Sequence, residues 1–440
     1  MTDRVILLSV PALRGHDLAQ MPHLRALADG GEQVSLVPGF PCLTCPVQVN
    51  MTTGRPPSAH GVVANGFYWR DQHALEMWTA WNSVIEVPQI WDTLHQHSAE
   101  LTSAVWFPLL SKGCGADFVC TPAPIHNPDG SESLWCYTKP AALYGELRDA
   151  LGHFPLQHFW GPLANIRSTA WIADTAVHAA KSLAPRFWYL YLPHLDYAAQ
   201  RSGPDSEPAL RALVELDDVI GRLVRGMSAA FPNDRLLWLV ASEYVIEPVQ
   251  HVLFPNRLLR EAGLLSVAAD AAGGELLDFA GSRVWALADH QLSHVFVQDQ
   301  ADIGRAADLF RGRAGVAEVL VGDERRKYDL DHAHAGEVVV ISQSDSWQAY
   351  YYWLDDARAP AFARTVDIHR KPGYDPVELH FDPATRSIPL DPRLVRGSHG
   401  GPPRREAQRG VLLASQRGVL VGQAMSDTDL YDLVLRQFGI

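Results

Sequence analysis

Long hydrophobic runs are missing from this chain. The longest, such as Trp188 to Pro193 and Leu236 to Ala241, fall far short of the roughly 20 apolar residues that cross a bilayer. A membrane-spanning protein is therefore not expected. Positive charge is also scarce: 37 Lys and Arg stand against 50 Asp and Glu, a formal net charge of −13. Nucleic-acid binders usually carry the opposite balance, because release of counterions from phosphates drives their binding. That balance argues against a nucleic-acid partner, and none is expected. A small phosphorylated molecule is not, since a metal ion can supply local positive charge against the global field. Cysteine is sparse too, with five residues in 440. An odd, scattered set is not a disulfide framework. Cys42 and Cys45 form a C-x-x-C, but no second pair follows at ribbon spacing. Nor does Met1-Thr2-Asp3-Arg4 with the short run Val5 to Val10 resemble a secretory signal. That run reads as a buried first strand, and the expected location is cytoplasmic. There is no internal repeat and no low-complexity segment.

What is present is an ordinary folded composition, 47% hydrophobic and 20% charged. Buried strands are expected at Val5 to Val10, Arg186 to Leu192 and Arg235 to Ala241. Helical periodicity follows them at Met21 to Ala28 and at Pro208 to Met227, where Leu213, Leu216, Val219 and Leu223 share a face. Strands alternating with helices predict an α/β fold, a mostly parallel central sheet with helices on both faces. Residues 266–342 break the pattern. Short strands at Arg283 to Ala288, His294 to Val297 and Glu337 to Ile341, with a helix around Ile303 to Phe310, predict a small α+β cap. The division is then a core of 1–265 and 343–440 with a cap insertion of 266–342. Thr121 to Pro140, rich in Pro, Asn, Asp, Gly and Ser, reads as a loop.

In such sheets ligands bind beyond the carboxyl ends of the strands. The segments there are Pro11-Ala12 after the first strand, Phe40 to Pro46 leading into Thr53-Gly54 and His60 to Asn65, His194 to Pro204, Ser242-Glu243-Tyr244, and Gly397-Ser398-His399. With these residues the chain resembles the alkaline phosphatase superfamily, in its nucleotide pyrophosphatase/phosphodiesterase branch. The resemblance runs from about Val5 to the C-terminus. It is most specific at Phe40-Pro41 through Thr44-Cys45-Pro46 to Thr53-Gly54 and at His60-Gly61-Val62-Val63-Ala64-Asn65. It implies an alkaline-phosphatase-like fold and a nucleophilic threonine at Thr44. It further implies divalent metals opposite that threonine and hydrolysis of phosphodiester or pyrophosphate bonds through a phosphothreonine. A threonine hydroxyl is a poor nucleophile near neutrality unless a base or metal withdraws its proton. A helix N-terminus adds backbone donors for phosphoryl oxygens. Thr44 would serve equally well as a helix N-cap with Pro46 in the first turn.

The metal positions the resemblance implies are only partly kept. The first aspartate is replaced by Pro11, and the asparagine after the nucleophile by Val47. An Asp and a His four residues later correspond to Asp196 and Gln200. A Ser-Asp-His corresponds to Ser242-Glu243-Tyr244. The last histidine is His399. The implied ligand set is therefore Asp196, Gln200, Glu243 and His399, for one or two ions of Zn, Mn or Mg. Asp196, Gln200 and His399 meet the three-ligand requirement of a catalytic site. Glu243 and Thr44, with Tyr244, do not. A single ion, or an oxygen-preferring one, suits this set better.

Other clusters bear on the site. Ala288-Asp289-His290-Gln291 puts an acid and an imidazole at a strand end. Thr365 to Asp375 packs Asp367, His369, Arg370, Lys371 and Tyr374 together. As a strand it would place Asp367 and His369 on one side of an anion pocket. His332 and His334 read as surface-loop residues. The aromatic groups Phe67-Tyr68-Trp69, Trp78, Trp81, Trp106-Phe107 and Tyr350 to Trp353 read first as core, and second as walls for a planar substrate. The leading expectation is a metal-dependent hydrolase of a small phosphorylated substrate acting through Thr44. The alternative is an altered relative that binds or processes a small metabolite without phosphoryl hydrolysis, on the strength of Pro11, Val47, Gln200 and Tyr244. A phosphoryl transferase or mutase is a third. The sequence carries no statement of oligomeric state.

Overall fold

The computed structural model describes residues 2–127 and 132–440. Its centre is a nine-stranded sheet, ordered Ala424–Ser426, Glu32–Val37, Gly410–Ala414, Leu236–Ala241, Arg4–Ser9, Phe187–Tyr191, Ser103–Trp106, Phe118–Pro122 and Cys136–Lys139. The five strands from Leu236–Ala241 to Phe118–Pro122 run parallel to one another. Antiparallel pairing is confined to the flanks. The expected mostly parallel α/β sheet is what forms.

The alternation of side chains along these strands builds a core on each face. One face buries Ile6, Leu8, Trp106, Trp188, Trp238 and Val240 under the helices Ile166–Ala180 and Glu207–Ala230. The other buries Val5, Leu7, Val105, Tyr189 and Leu239 under Thr44–Thr53, Ile90–His97 and Asp429–Gln437. The Glu207–Ala230 helix starts where the side chain of Ser206 caps Ala209 and Pro208 occupies the first turn. Its buried stripe is Leu213, Leu216, Val219, Ile220 and Leu223, at helical spacing.

Within 266–342 lies a second, four-stranded antiparallel sheet, Val284–Asp289, Leu292–Val297, Val338–Ser342 and Val316–Val321. The last of these is not among the expected strands, and its residues are mostly half-buried at the sheet edge. The hydrophobic cluster around this sheet also takes in Leu253, Leu259 and Leu264 before it and Trp347, Tyr350 to Trp353, Val377 and Val395 after it. The expected loop from Thr121 to Pro140 is corrected at both ends, where Phe118–Pro122 and Cys136–Lys139 pair as the outer edge of the main sheet. Residues 128–131 of that stretch lie outside the described residues. No helix among the described residues is long and apolar enough to cross a membrane.

Candidate active site

The parallel strands end side by side, and the chain leaves each one toward the same buried region. Val10 N–H donates to Ala241 O (2.9 Å), Leu192 N–H to Ser9 O (2.9 Å) and Ala12 N–H to Tyr244 O (3.0 Å). These bonds hold Pro11, Asp196 and Glu243-Tyr244 in register beyond the strand tips. The loop Pro38 to Leu43 enters the Thr44–Thr53 helix at the same end, with Leu43 extended as its cap. Thr44 is therefore the first helical residue and not the cap. Cys45 N–H is taken by Asn65 Oδ1 (3.1 Å). Pro46 carries no N–H. Of the first three amide donors, Thr44 N–H is the one left for a ligand.

The Thr44 hydroxyl shares a hydrogen bond with the Tyr244 hydroxyl (2.9 Å). The Tyr244 ring lies flat on His399, with centroids 3.5 Å apart and planes 5° off parallel. His399 meets His290 at 3.9 Å, and His290 stacks on Tyr374 at 3.6 Å. The Tyr374 hydroxyl donates to Gln200 Oε1 (2.6 Å), and Gln200 Nε2 donates to Asp196 Oδ2 (2.9 Å). Two stacked pairs, meeting where His399 and His290 tilt 44° to each other, are thus linked to Thr44 through Tyr244 and to the Gln200–Asp196 pair through Tyr374. Thr44, Asp196, Gln200 and His399 come together here. Glu243 is buried close by, but its Oε1 accepts from Ser9 (2.7 Å) and from Gln48 (2.8 Å) on the Thr44 helix.

His290 reaches this region from the second sheet. It occupies the two-residue hairpin between Val284–Asp289 and Leu292–Val297 in the left-handed conformation, φ 59°. Its Nδ1 meets Asp289 Oδ1 (2.7 Å), and Asp289 also accepts from Asn65 N–H (2.8 Å). Gly400 (φ 112°) makes room for this tip, since a Cβ there would sit 3.3 Å from the His290 Cβ. The acid–imidazole pair at a strand end is the sequence signal for His290. Tyr374 offers a weaker one, and Ser9 and Gln48 none.

The segment 365–375 is arranged differently from the expectation. Asp367 and His369 sit in a turn and not on a strand. Asp367 pairs with Arg370, and His369 Nδ1 meets Met77 O (3.1 Å). Lys371 is buried between Asp375 (2.8 Å) and Glu378 (2.6 Å), so its charge is consumed. Of that segment, Tyr374 alone joins the ring stack. Trp106 and Tyr350 to Trp353 are fully buried core, whereas Trp81 is exposed. Cys42 and Cys45 are buried free thiols.

Burial sets the electrostatics. It pushes the Asp196 carboxyl up to about 7, against the opposing pull of Gln200 and the nearby Tyr244 hydroxyl. It pushes Glu243 to about 8 and Asp289 to about 6. His290 and His399 are driven well down, toward the neutral imidazole. A cation site requires neutral imidazoles and ionised carboxylates, so burial suits the two histidines to that role and works against the carboxyl groups. Asp196 Oδ1 and His399 Nε2 are buried without hydrogen-bond partners, and His399 Nδ1 is anchored on Cys42 O (2.7 Å). With Gln200 Oε1, which also accepts from the Tyr374 hydroxyl, these atoms are the donor set available to one divalent cation. It does not fit a second: Pro11 has no donor, Tyr244 is committed to Thr44, and Glu243 has a single unpartnered oxygen, Oε2.

The fold has counterparts. A phosphonoacetate hydrolase from Sinorhizobium meliloti, solved with phosphonoformate, superposes with a TM-score of 0.65 at 15% identity, over 99% of this chain and 96% of that one. Murine ectonucleotide pyrophosphatase/phosphodiesterase 5 superposes with a TM-score of 0.62 at 14% identity, over 99% and 95%. These establish the alkaline-phosphatase-like fold. An uncharacterized pyrophosphatase/phosphodiesterase of Schizosaccharomyces pombe is 22% identical over 282 residues, 61% of this chain. The chain spans about half the length (49%) of that curated relative. Family members generally use divalent metal ions. Residues 5–375 match the description of type I phosphodiesterase / nucleotide pyrophosphatase, and the chain belongs to that family of hydrolases.

Proposed function

We propose that the protein hydrolyses phosphodiester or pyrophosphate bonds in a small phosphorylated molecule, with Thr44 as the attacking group. The observation that carries this reading is the placement of the Thr44 hydroxyl at the start of a helix, in the buried region at the strand tips, 2.9 Å from a phenol. Asp196, Gln200 and His399 would hold one divalent ion, with zinc or manganese the best matched to a carboxylate, an amide oxygen and an imidazole. When bound, that ion supplies positive charge against the phosphoryl oxygens. Thr44 presents its oxygen, and its own N–H with the helix terminus favours an anion beside it. Either hydroxyl can be the donor in the bond between Thr44 and Tyr244. Burial keeps the phenol protonated, since its pKa lies well above the ordinary value. Tyr244 therefore acts as a hydrogen-bonding partner that orients Thr44, and not as a permanent charge. Glu243 holds Ser9 and the Thr44 helix together and is not assigned an ion. Five buried, unpaired thiols suit a reducing compartment such as the cytoplasm.

Two solved relatives hold ligands: phosphonoformate in the bacterial hydrolase, and AMP in an inactive variant of the murine protein. A phosphorus oxyanion on a small organic body is the shared chemistry. The test is turnover of an aryl phosphodiester and of a nucleoside pyrophosphate, with Zn²⁺ or Mn²⁺, by wild type and Thr44→Ala. Turnover by wild type that disappears in the variant supports the assignment. Equal turnover by both removes Thr44 from it.

One observation favours a second reading. The stack of Tyr244, His399, His290 and Tyr374 fills space beside the ion position with ring faces. A relative that binds a phosphorylated metabolite without cleaving it would show saturable binding of AMP and no metal-stimulated hydrolysis.

A further inference from the structure

His332 and His334, read from the sequence as surface-loop residues, are half-buried and turn inward. They lie in the loop before the Val338–Ser342 strand of the second sheet. Glu86 reaches them from the segment just before the Ile90–His97 helix. We propose that Glu86, His332 and His334 form a second divalent-cation site, separate from the Thr44 site, that takes zinc, cobalt or nickel. This inference does not rest on the reading of Thr44.

Spacing carries the argument. One ligand atom from each of the three residues lies within 4.8 Å of the others, and they form the one such group of His, Cys, Asp and Glu among the described residues. His332 Nε2 stands 3.3 Å from Glu86 Oε2. A charge-assisted hydrogen bond is normally shorter, about 2.7–2.9 Å. Two ligands at the roughly 2.0–2.1 Å bond lengths of a tetrahedral zinc ion are separated by about 3.3 Å. The observed distance is that of an edge of a coordination tetrahedron.

The surroundings are built for the same purpose. His334 Nδ1–H donates to Gly61 O (2.7 Å), which fixes the tautomer and leaves the Nε2 lone pair free. That outer contact is the usual companion of a metal-bound histidine. Arg70 steadies the loop by donating to Ala333 O and Ala335 O on either side of His334, while Glu337 neutralises its charge. Gly61 (φ 80°) is required by the close approach, because a Cβ there would lie 2.9 Å from Glu86 Oε1 and 3.2 Å from His332 Cε1. Glu86 and His334 face a cavity of about 360 Å³ whose other walls include Trp69, Trp81, Glu76 and Thr79. Three protein donors beside an open cavity leave coordination positions for water or a small ligand. Two imidazoles with one carboxylate favour zinc, cobalt or nickel over magnesium or calcium.

Loading moves one proton. His332 Nε2–H now points at Glu86, and Nδ1 accepts a long contact from His334 N–H (3.2 Å). The ion takes the Nε2 lone pair, the ring proton shifts to Nδ1, and that backbone contact is given up. The ring stays neutral and no net proton is released. Once loaded, the site would join the second sheet's loop to the segment of Glu86, whose backbone N–H donates to His60 O (3.2 Å).

The experiment uses the full chain stripped with a chelator. It is titrated with Co²⁺, read by visible d–d absorption, and with Zn²⁺, read by calorimetry. Wild type is expected to bind one more ion than either Glu86→Gln or His334→Ala, or to bind it at least tenfold more tightly. Glu86→Gln is isosteric on a half-exposed side chain (49%), so the fold is kept and the comparison stays readable. Zinc binding by both variants equal in number and affinity to wild type would overturn the proposal. So would retention of the extra ion by Glu86→Gln and His334→Ala together.

Discussion

The Thr44 site and the Glu86–His332–His334 cluster solve opposite problems. At the Thr44 site the polar groups are buried and mostly engaged with one another: Thr44 with Tyr244, Tyr374 with Gln200, Gln200 with Asp196. One phenol, Tyr244, stands where the family resemblance implies a histidine, and it both hydrogen-bonds and stacks. A buried polar group must find a partner, so the loss of a metal ligand in the interior is compatible with folding only if another side chain meets its neighbours. In the cluster the donors are partly exposed, with Glu86 about half in solvent, and water can satisfy them. The contact between His332 Nε2 and Glu86 Oε2 is long, at 3.3 Å.

The comparison can be broken most sharply at Thr44. Thr44→Ala is expected to lower kcat on an aryl phosphodiester by about a thousandfold or more, the scale seen when a nucleophile is removed. Activity surviving at wild-type level would make the site a binding pocket only. Tyr244→Phe removes one hydroxyl and keeps the ring stacked on His399. A drop in kcat of about ten- to a hundredfold is expected from losing an orienting hydrogen bond. A change confined to thermal stability would make Tyr244 structural. At the other site, Glu86→Gln should weaken zinc about tenfold or more while leaving kcat within about twofold, in the range of ligand and outer-contact changes. A parallel fall in kcat would show that the two regions are coupled.

The smallest expected effect concerns His60, buried behind the Thr44 helix. Its Nε2 pairs with Asn50 Oδ1 (2.8 Å), and burial pulls its pKa down to about 3. The unfolded chain therefore binds a proton that the folded chain refuses between about pH 6.5 and 3. Stability from this group is present above pH 6.5 and lost as pH falls. His60→Gln should reduce the slope of unfolding free energy against pH in that window by about 1.4 kcal/mol per pH unit. Denaturant melts from about pH 7 to 4.5 span most of that range, and an unchanged slope would mean that His60 is charged in the folded protein.

Much of the architecture is legible in the sequence because it is local. Runs such as Phe187–Tyr191 and Leu236–Ala241 are apolar on both faces, which only a covered parallel strand requires. Leu213, Leu216, Val219 and Leu223 declare a helix by spacing alone. The Thr44 segment is legible as well, through its resemblance to a family. The strand Val316–Val321 is not, because its edge position leaves most of it half-buried and blurs the alternation. The turn at 365–370 escapes a sequence reading for another reason: its acid and arginine pair with each other and its imidazole meets Met77 O, 292 positions away, so the charge pattern carries no pocket.

Periodicity, strand composition and the residues at strand ends belong to the chain itself, because backbone hydrogen bonding and burial act on neighbours a few positions apart. They were enough to establish the sheet and its covering helices. Which donors meet around Thr44, and that Glu86 lies 3.3 Å from a histidine 246 positions later, was decided only by tertiary structure. Coordination and ring stacking depend on distances of a few ångströms between segments whose separation along the chain carries no information about them.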